Sequence, residues 1–397
     1  ITHCIHMLSS SRSLLSGVRQ LRYCALAGNQ LRTLSYGKLK PGRVMTQGRG
    51  VLGALGQSTD IKDSAKYREL KSFKFSDGTN LSVRSVSAGW GHTATVSESG
   101  KLYIFGRPYD FRQLMRIDKI YRFSSIIARL FAGSTSIFRK LSGYYPTPIP
   151  VEHEEPITDL SCSAGLTAFL TESGEVYAFG LNRWGQCGSM IAPPNAPELK
   201  DYTMHLMDAT KVNIPPCQGI DTGLQHCLAV TKEGEIYSWG KASNGQLGNL
   251  NMAKKEIPPY ALPDLVKLEP FKAYKGKSFA NGAEVEPLKA KQVSAGFAHS
   301  AALTTEGDVY IWGKGMSLDM NEKLTGQAIV NEDQLLPRKL ELPGDRKVVQ
   351  IASSNFQLVM LATDGSVWAL GRGEKDRNAN VNPLRVQTDF HLPKFNS

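Results

Sequence analysis

Residues 221–240 read DTGLQHCLAVTKEGEIYSWG, and four other segments of the chain repeat this stretch in recognisable form. The other copies span residues 87–106, 163–180, 294–313 and 353–371. In all five copies a turn glycine precedes a closing glycine by six positions, in the pairs Gly100/Gly106, Gly174/Gly180, Gly234/Gly240, Gly307/Gly313 and Gly365/Gly371. Repetition on this scale predicts a repeat architecture, in which a residue present in every copy usually serves the copy.

Each copy is predicted to be a β-hairpin. The first half is small and apolar, as in residues 299–303, and the second half alternates and carries an aromatic, as in Ile236-Tyr-Ser-Trp239. Alternation with β-branched and aromatic residues is typical of strands. The turn glycine supplies the positive φ that a type I turn with a bulge needs. One hairpin cannot bury both faces, so the copies are expected to stack.

A partial sixth unit stands near the start of the chain. Residues 44–56 contain a further closing glycine, Gly48, followed by Gly53-Ala-Leu-Gly56. The same element follows the closing glycine elsewhere, as Gly185-Gln-Cys-Gly188 and Gly245-Gln-Leu-Gly248. No hairpin of the repeat precedes Gly48. A ring that closes by pairing its first and last strands would leave such a half unit.

The pattern Gly-x-x-His, turn glycine, Tyr-x-Trp-Gly and Gly-Gln-Leu-Gly resembles the regulator of chromosome condensation repeat family. The resemblance covers roughly residues 43–397, and one full repeat is carried by Gly223, His226, Gly234, Tyr237, Trp239, Gly240, Gly245, Leu247 and Gly248. It implies an all-β fold, a β-propeller of four-stranded blades. Six closing glycines are found where the family would show seven. We therefore expect six to seven blades, with seven favoured, and a helical insert between blades.

The repeated residues are expected to be structural. The repeat histidine is replaced by Leu166 and Gln357 in two copies. The remaining histidines occupy equivalent places in different blades, so they should not converge on a metal, and each should hydrogen-bond near its own hairpin. The predicted structural positions are His92, His226, His299, Gly106, Gly180, Gly240, Gly313 and Gly371.

No motif of enzyme chemistry is found in the sequence. The six cysteines lack C-x-x-C spacing, and Gly276-Lys-Ser278 lacks the earlier glycine of a phosphate loop. We therefore predict no catalytic, cofactor-binding or metal-binding residue, and a protein that is not an enzyme. No window of about 20 apolar residues predicts a membrane span.

The positive charge is concentrated at the N-terminus. The chain has a net charge of +11, of which +8 falls in residues 1–59, where no acidic residue occurs. A nearly balanced remainder argues against a propeller that grips nucleic acid with its whole face. Residues 7–22 can form a basic amphipathic helix, and residues 1–40 are predicted to be a mitochondrial transit peptide or a basic N-terminal extension. The predicted location is the mitochondrial matrix or the matrix side of the inner membrane, with the nucleus as the alternative.

Two inserts interrupt the predicted propeller domain, residues 41–397. The first, residues 107–145, carries eight basic and two acidic residues, and its centre can form a helix with one apolar face. Such a surface suits an acidic protein partner, an anionic membrane or RNA phosphate, although a helix packed on the propeller would look similar. The candidate partner-binding residues are Arg116, Arg122, Phe123, Ile127, Arg129 and Leu130. The second insert, residues 249–290, is rich in Pro and Lys and reads as an extended loop.

Three functions stay open at this level. The favoured one is a non-enzymatic scaffold in mitochondria, an accessory subunit or assembly factor of a large complex such as the respiratory chain, ATP synthase or mitoribosome. The resemblance also implies a guanine-nucleotide exchange factor for a small GTPase, the activity of the family's nuclear founder. A chromatin-binding protein is the third, and it requires the basic N-terminal residues to be retained. Fold alone does not choose among them.

Overall fold

The computed structural model describes strands and loops in twelve segments of the chain. These are residues 3–8, 43–49, 53–57, 63–70, 82–107, 145–189, 209–248, 260–266, 289–314, 334–354, 357–371 and 380–385. The described residues form six antiparallel sheets and no helix, and none of them belongs to a helix long and apolar enough to cross a membrane. The predicted helical insert lies outside the described residues.

The sheets follow one another along the chain. The first sheet holds β1 (His3–Leu8), β2 (Arg43–Arg49) and β3 (Asp63–Glu69). The second holds β4 (Val83–Ala88), β5 (His92–Ser97), β6 (Leu102–Gly106) and β7 (Tyr145–Val151). The third holds β8 (Ile157–Cys162), β9 (Leu166–Thr171), β10 (Val176–Gly180) and β11 (Thr210–Lys211). The fourth sheet holds β12 (Cys217–Thr222), β13 (His226–Thr231), β14 (Ile236–Lys241) and β15 (Tyr260–Val266). The fifth holds β16 (Ala290–Ala295), β17 (His299–Thr304), β18 (Val309–Gly313) and β19 (Gln334–Leu340). The sixth holds β20 (Val348–Ser353), β21 (Gln357–Ala362), β22 (Val367–Gly371) and β23 (Asn380–Arg385).

The five predicted hairpins are confirmed as the middle strands of the second to sixth sheets. In each, the repeat-histidine position lies opposite the closing glycine, as His226 lies opposite Gly240 and Leu166 opposite Gly180. The turn glycine also has the expected positive φ, for example +90° at Gly234. The turn that the turn glycine allows therefore fixes which residues of the two hairpin strands lie opposite each other in every copy.

The fourth strand that the resemblance implies for each blade lies on the outer edge of each complete sheet, and its position in the sequence was not predicted. Four of these edge strands contain a proline in a similar place: Pro148, Pro263, Pro337 and Pro383. Proline lacks an N–H and is tolerated at a sheet edge, where it also discourages pairing with other chains. The insert boundaries are corrected accordingly. β7 begins at Tyr145, and β15 divides the insert predicted at 249–290 into residues 249–259 and 267–289.

The partial first unit acquires its missing strand from the start of the chain. β1 pairs with β2 so that His3 lies opposite Gly48, the same register that His226 and Gly240 have. β1 therefore occupies the place of the first hairpin strand in the repeat. It lies within residues 1–40, whose role as a transit peptide or extension stays a prediction.

Each sheet packs its face on the next one along the chain. Five hydrophobic clusters fill these interfaces; the cluster between the third and fourth sheets, for instance, joins Leu166 to Trp239. Strands β5, β9, β13 and β17 are buried along their whole length. In the last sheet, by contrast, Val359 and Leu361 of β21 are only half-buried, so one face of that sheet has less cover. The arrangement is that of blades around an axis.

Candidate interaction face

The ends of the sheets define two opposite surfaces. The closing-glycine face comprises the loops before the repeat-histidine position and after the closing glycine: residues 53–57, 89–91, 107, 163–165, 181–189, 223–225, 241–248, 296–298 and 314. The turn face comprises the hairpin turns and the loops that enter each innermost strand: residues 97–101, 152–156, 171–175, 212–216, 231–235, 289, 304–308, 341–347 and 362–366. Loops of successive sheets touch on the closing-glycine face, where the Leu224 N–H donates to Gly296 O at 3.1 Å.

The repeat histidines link neighbouring sheets. His92 Nε2 lies 2.9 Å from the hydroxyl of Thr167, and His226 Nε2 lies 2.9 Å from the hydroxyl of Ser300. Both hydroxyls belong to the following sheet, one residue beyond its own repeat-histidine position. The expected bond near the same hairpin is therefore corrected to a bond between sheets.

The tautomer of His226 follows from its partner. The Ser300 hydroxyl donates to the carbonyl of Gln246 at 2.7 Å, so it must accept the hydrogen bond from the ring. Nε2 of His226 therefore carries a proton and donates it to this hydroxyl. Burial lowers the pKa of His92 to about 3 and that of His299 to about 4, which keeps these two rings neutral. Among the described residues, no group of His, Cys, Asp or Glu is placed to hold a metal ion.

The tryptophans of the repeat and the Gly-Gln-x-Gly element form a second link between sheets. Trp239 Nε1 donates to Gln186 O at 2.8 Å, and Trp312 Nε1 donates to Gln246 O at 2.8 Å. The glutamine side chain shapes its own loop, because Gln246 Oε1 accepts from the Asn244 N–H at 2.8 Å. The element therefore presents a carbonyl to the next sheet.

A polar ladder joins the innermost strands around the axis. Ser87 Oγ accepts from Cys162 N, Ser161 Oγ from Thr222 N, Asp221 Oδ2 from Ala295 N, and Ser294 Oγ from Ser353 N, at 2.7–3.0 Å. Strands β4, β8, β12, β16 and β20 surround a cavity of about 300 Å³ at this level. The buried Asp221 takes the place that serine has in three other sheets. Its carboxylate is therefore engaged in holding the ring, and the sequence alone did not single it out.

The two faces differ in charge. Every residue in the loops named above for the closing-glycine face is neutral or basic, and the cations of these loops are Arg107, Arg183, Lys241 and Lys314. The turn face instead carries exposed carboxylates at Glu98, Glu154, Glu172, Glu233, Glu306, Glu341 and Asp345. Among the described residues, the near balance of charge in the domain body thus conceals one basic and one acid-rich set of loops.

The predicted partner-binding residues lie outside the described residues. They are Arg116, Arg122, Phe123, Ile127, Arg129 and Leu130. Their insert departs from the closing-glycine face, because β6 ends there at Gly106 and the Arg107 N–H donates to Gly91 O. The other predicted repeat positions, His92, His226, His299, Gly180, Gly240, Gly313 and Gly371, lie at the ends of strands that meet this face.

Comparison with known proteins agrees with this geometry. The family model for the regulator of chromosome condensation (RCC1) repeat matches residues 218–246 and 290–315 of this chain. In fold, the chain resembles yeast RCC1 (Prp20), solved bound to Kap60, with a TM-score of 0.64 and 19% identity over 92% of this chain and 74% of that one. It also resembles human WBSCR16, with a TM-score of 0.59 and 17% identity over 88% and 79% of the two chains. The chain carries RCC1 repeats on an RCC1-like β-propeller, as the sequence indicated.

Curated relatives are similar over part of their length. The human E3 ubiquitin-protein ligase HERC2 is 31% identical over 52% of this chain and 4% of its own length. The mouse secretion-regulating guanine nucleotide exchange factor is 27% identical over 74% of this chain and 52% of its own length. The mitochondrial RCC1 domain-containing protein RUG3 of Arabidopsis thaliana is 24% identical over 75% of this chain and 58% of its own length. The chain thus spans less than two thirds of each of these relatives.

Proposed function

We propose that this protein is a non-enzymatic β-propeller scaffold in mitochondria that serves as an accessory subunit or assembly factor of a large complex. One observation carries the proposal: the longest insert leaves from a face whose described residues include four cations and no carboxylate. The bonds of the repeat histidines, tryptophans and inner-strand serines connect sheet to sheet, which supports a rigid ring that presents loops.

The mitochondrial part of the proposal has two supports. The acid-free, Arg-rich segment near the start of the chain has the composition of a transit peptide. A relative over 75% of this chain, RUG3, is a mitochondrial protein.

Nucleotide exchange on a small GTPase is the second candidate. It is favoured by the secretion-regulating guanine nucleotide exchange factor, which aligns over 74% of this chain. No exchange residue is carried over to this sequence. Chromatin binding is the third candidate; it would place the protein in the nucleus with its basic N-terminal residues retained.

One experiment tests the leading proposal against the others. The tagged full-length chain is expressed in cells, located by fractionation, and analysed by blue-native electrophoresis with mass spectrometry of the co-migrating proteins. We expect it inside mitochondria at the mass of a large complex. A free monomer that accelerates nucleotide release from a purified GTPase would replace the scaffold with the exchange factor, and a nuclear location would favour the third candidate.

A further inference from the structure

A cluster of cations surrounds one tryptophan on the closing-glycine face. The Arg183 guanidinium carbon lies 5.1 Å from the centre of the Trp184 ring, and Lys241 Nζ lies 5.2 Å from it. Lys314 is close enough for its charge to act on Lys241. Arg183 and Trp184 come from the third sheet, Lys241 from the fourth and Lys314 from the fifth, so stacking of blades creates the cluster.

The charges of this cluster repel one another, and no carboxylate of the described segments is paired with them. Burial lowers the pKa of Lys241, and the positive charges of Arg183 and Lys314 lower it further. Within the described residues, none of the three cations contacts a carboxylate, and the surrounding loops of this face contain no Asp or Glu. On the turn face, by contrast, Lys347 is paired with Asp308 at 2.7 Å. Among the residues that the structure describes, the cluster therefore lacks the local compensation that Lys347 receives on the turn face.

The surroundings favour a protein as the source of the missing anions. The Trp184 ring is engaged by the cations of its own chain, so a nucleic-acid base could stack on it only by competing with them. Towards the axis, the same face carries half-buried apolar side chains at Trp90, Leu224 and Phe297. An apolar centre beside a charged rim is the anatomy of a protein–protein interface.

We infer that the closing-glycine face docks an acidic protein segment whose carboxylates meet Arg183, Lys241 and Lys314 while its apolar side chains cover the loops around Phe297. Carboxylates at the cluster would offset the repulsion that its cations now share, and charge complementarity would also speed association. The inference deepens the proposed function by giving the chemistry of the partner, but it rests only on described residues and does not need the 107–145 insert.

The test uses the purified full-length chain and two fluorescent probes. One is a peptide that mixes Asp and Glu with Leu and Phe, and the other is a single-stranded oligouridine RNA. Arg183→Gln/Lys241→Gln removes two charges from the cluster. Lys101→Gln/Lys289→Gln removes two charges from the turn face and is the matched control.

We expect the acidic peptide to bind and the cluster variant to weaken binding about tenfold, equal to about 1.4 kcal/mol, whereas the control variant should not. Because mutual repulsion is relieved, the thermal midpoint of the cluster variant should stay unchanged or rise. Preferential binding of the RNA with loss in the same variant would overturn the inference in favour of nucleic acid. Absence of peptide binding, or equal weakening in both variants, would also overturn it. As the probes are synthetic, none of these outcomes decides the mitochondrial location or the large complex.

Discussion

A Cβ atom placed on Gly223 would stand 2.6 Å from Nδ1 of His226, so the imidazole occupies the space that any larger residue at position 223 needs. The same holds for Gly89 beside His92 and Gly296 beside His299. Where the histidine is absent, serine fills the glycine position: Ser163 precedes Leu166 and Ser354 precedes Gln357 by the same three residues. Glycine and histidine therefore form one structural unit in the repeat.

The first prediction tests that unit with a double-mutant cycle. Gly223→Ala should destabilise the protein by about 1–3 kcal/mol because the new methyl group clashes with the His226 ring and with Gly296 O. His226→Ala should also destabilise it, through loss of the bond to Ser300, and metal content should not change. In the His226→Leu background, Gly223→Ala should cost less, with a coupling of at least about 0.5 kcal/mol in chemical denaturation. Additive effects would show that the two residues act separately.

The second prediction concerns the closing glycine. Gly240 has φ +103°, and a Cβ there would lie 2.7 Å from Gln225 O. Gly240→Val should therefore lower the free energy of unfolding by about 1–3 kcal/mol or more. Gly219→Ala is the control, because a Cβ at Gly219 meets nothing within 4 Å. Equal denaturation midpoints for the two variants would contradict the steric explanation.

The third prediction is a pH dependence of stability. Burial lowers the pKa values of His92 and His299 to about 3 and about 4, from an ordinary histidine value of 6.5. Below pH of about 6.5 the unfolded chain binds protons at these sites and the folded chain does not, so stability falls with pH down to the folded values. Each buried histidine can contribute up to about 1.4 kcal/mol per pH unit. His299→Gln, which copies Gln357, should flatten the decline measured by urea unfolding from pH 7 to 5; an unchanged slope would remove His299 as a cause.

The fourth prediction concerns the N-terminal segment. Residues 7 to about 34 should direct a reporter protein to mitochondria and be removed there, since they are basic and acid-free. Removal would separate β1 from β2, so the mature protein would lack the pairing of His3 with Gly48. N-terminal sequencing of the protein recovered from mitochondria decides the point. A mature chain that still contains residues 3–8, or a nuclear full-length chain, would overturn it.

The sequence predicted the features that depend on residues close together in the chain. It did not predict the features that arise where neighbouring sheets pack together. Turn and closing glycines carry their conformation in their spacing, so the hairpins were found. The resemblance implied four-stranded blades, but the positions of the edge strands were not predicted, because residues such as Pro263 argue against a strand unless its edge position is known. The start of the copy at 163–180 was placed two residues too late, because Ser163-Ala-Gly165 resembles Ser87-Ala-Gly89, whereas Ser163 stands where Gly89 does.

The features of the candidate face could not be predicted from the sequence for the same reason. Arg183 and Lys241 are separated by 58 positions in the sequence and meet only because consecutive sheets stack with equivalent ends together. The difference in charge between the described loops of the two faces likewise almost disappears in the sum over residues 60–397, which hold 39 basic and 36 acidic residues. The insert was recognisable from its composition, and its point of departure from the basic face required the structure.

The last prediction joins the insert to the proposed scaffold role. Replacing Arg116, Arg122 and Arg129 with Glu reverses charge within a segment where basic residues exceed acidic ones by six, eight against two. The variant should leave its native complex, which blue-native electrophoresis would show as a shift to lower mass. Exposed charges contribute little to folding, so the thermal midpoint should barely move. Raised salt should mimic the loss, because such charges are screened within about 10 Å at 0.1 M ionic strength.

Lys101→Glu/Lys289→Glu, with charges reversed on the turn face, is the control and should stay in the complex. If the insert variant also stays, and the wild-type chain accelerates nucleotide release from a small GTPase, partner binding through the insert is wrong and exchange activity takes its place.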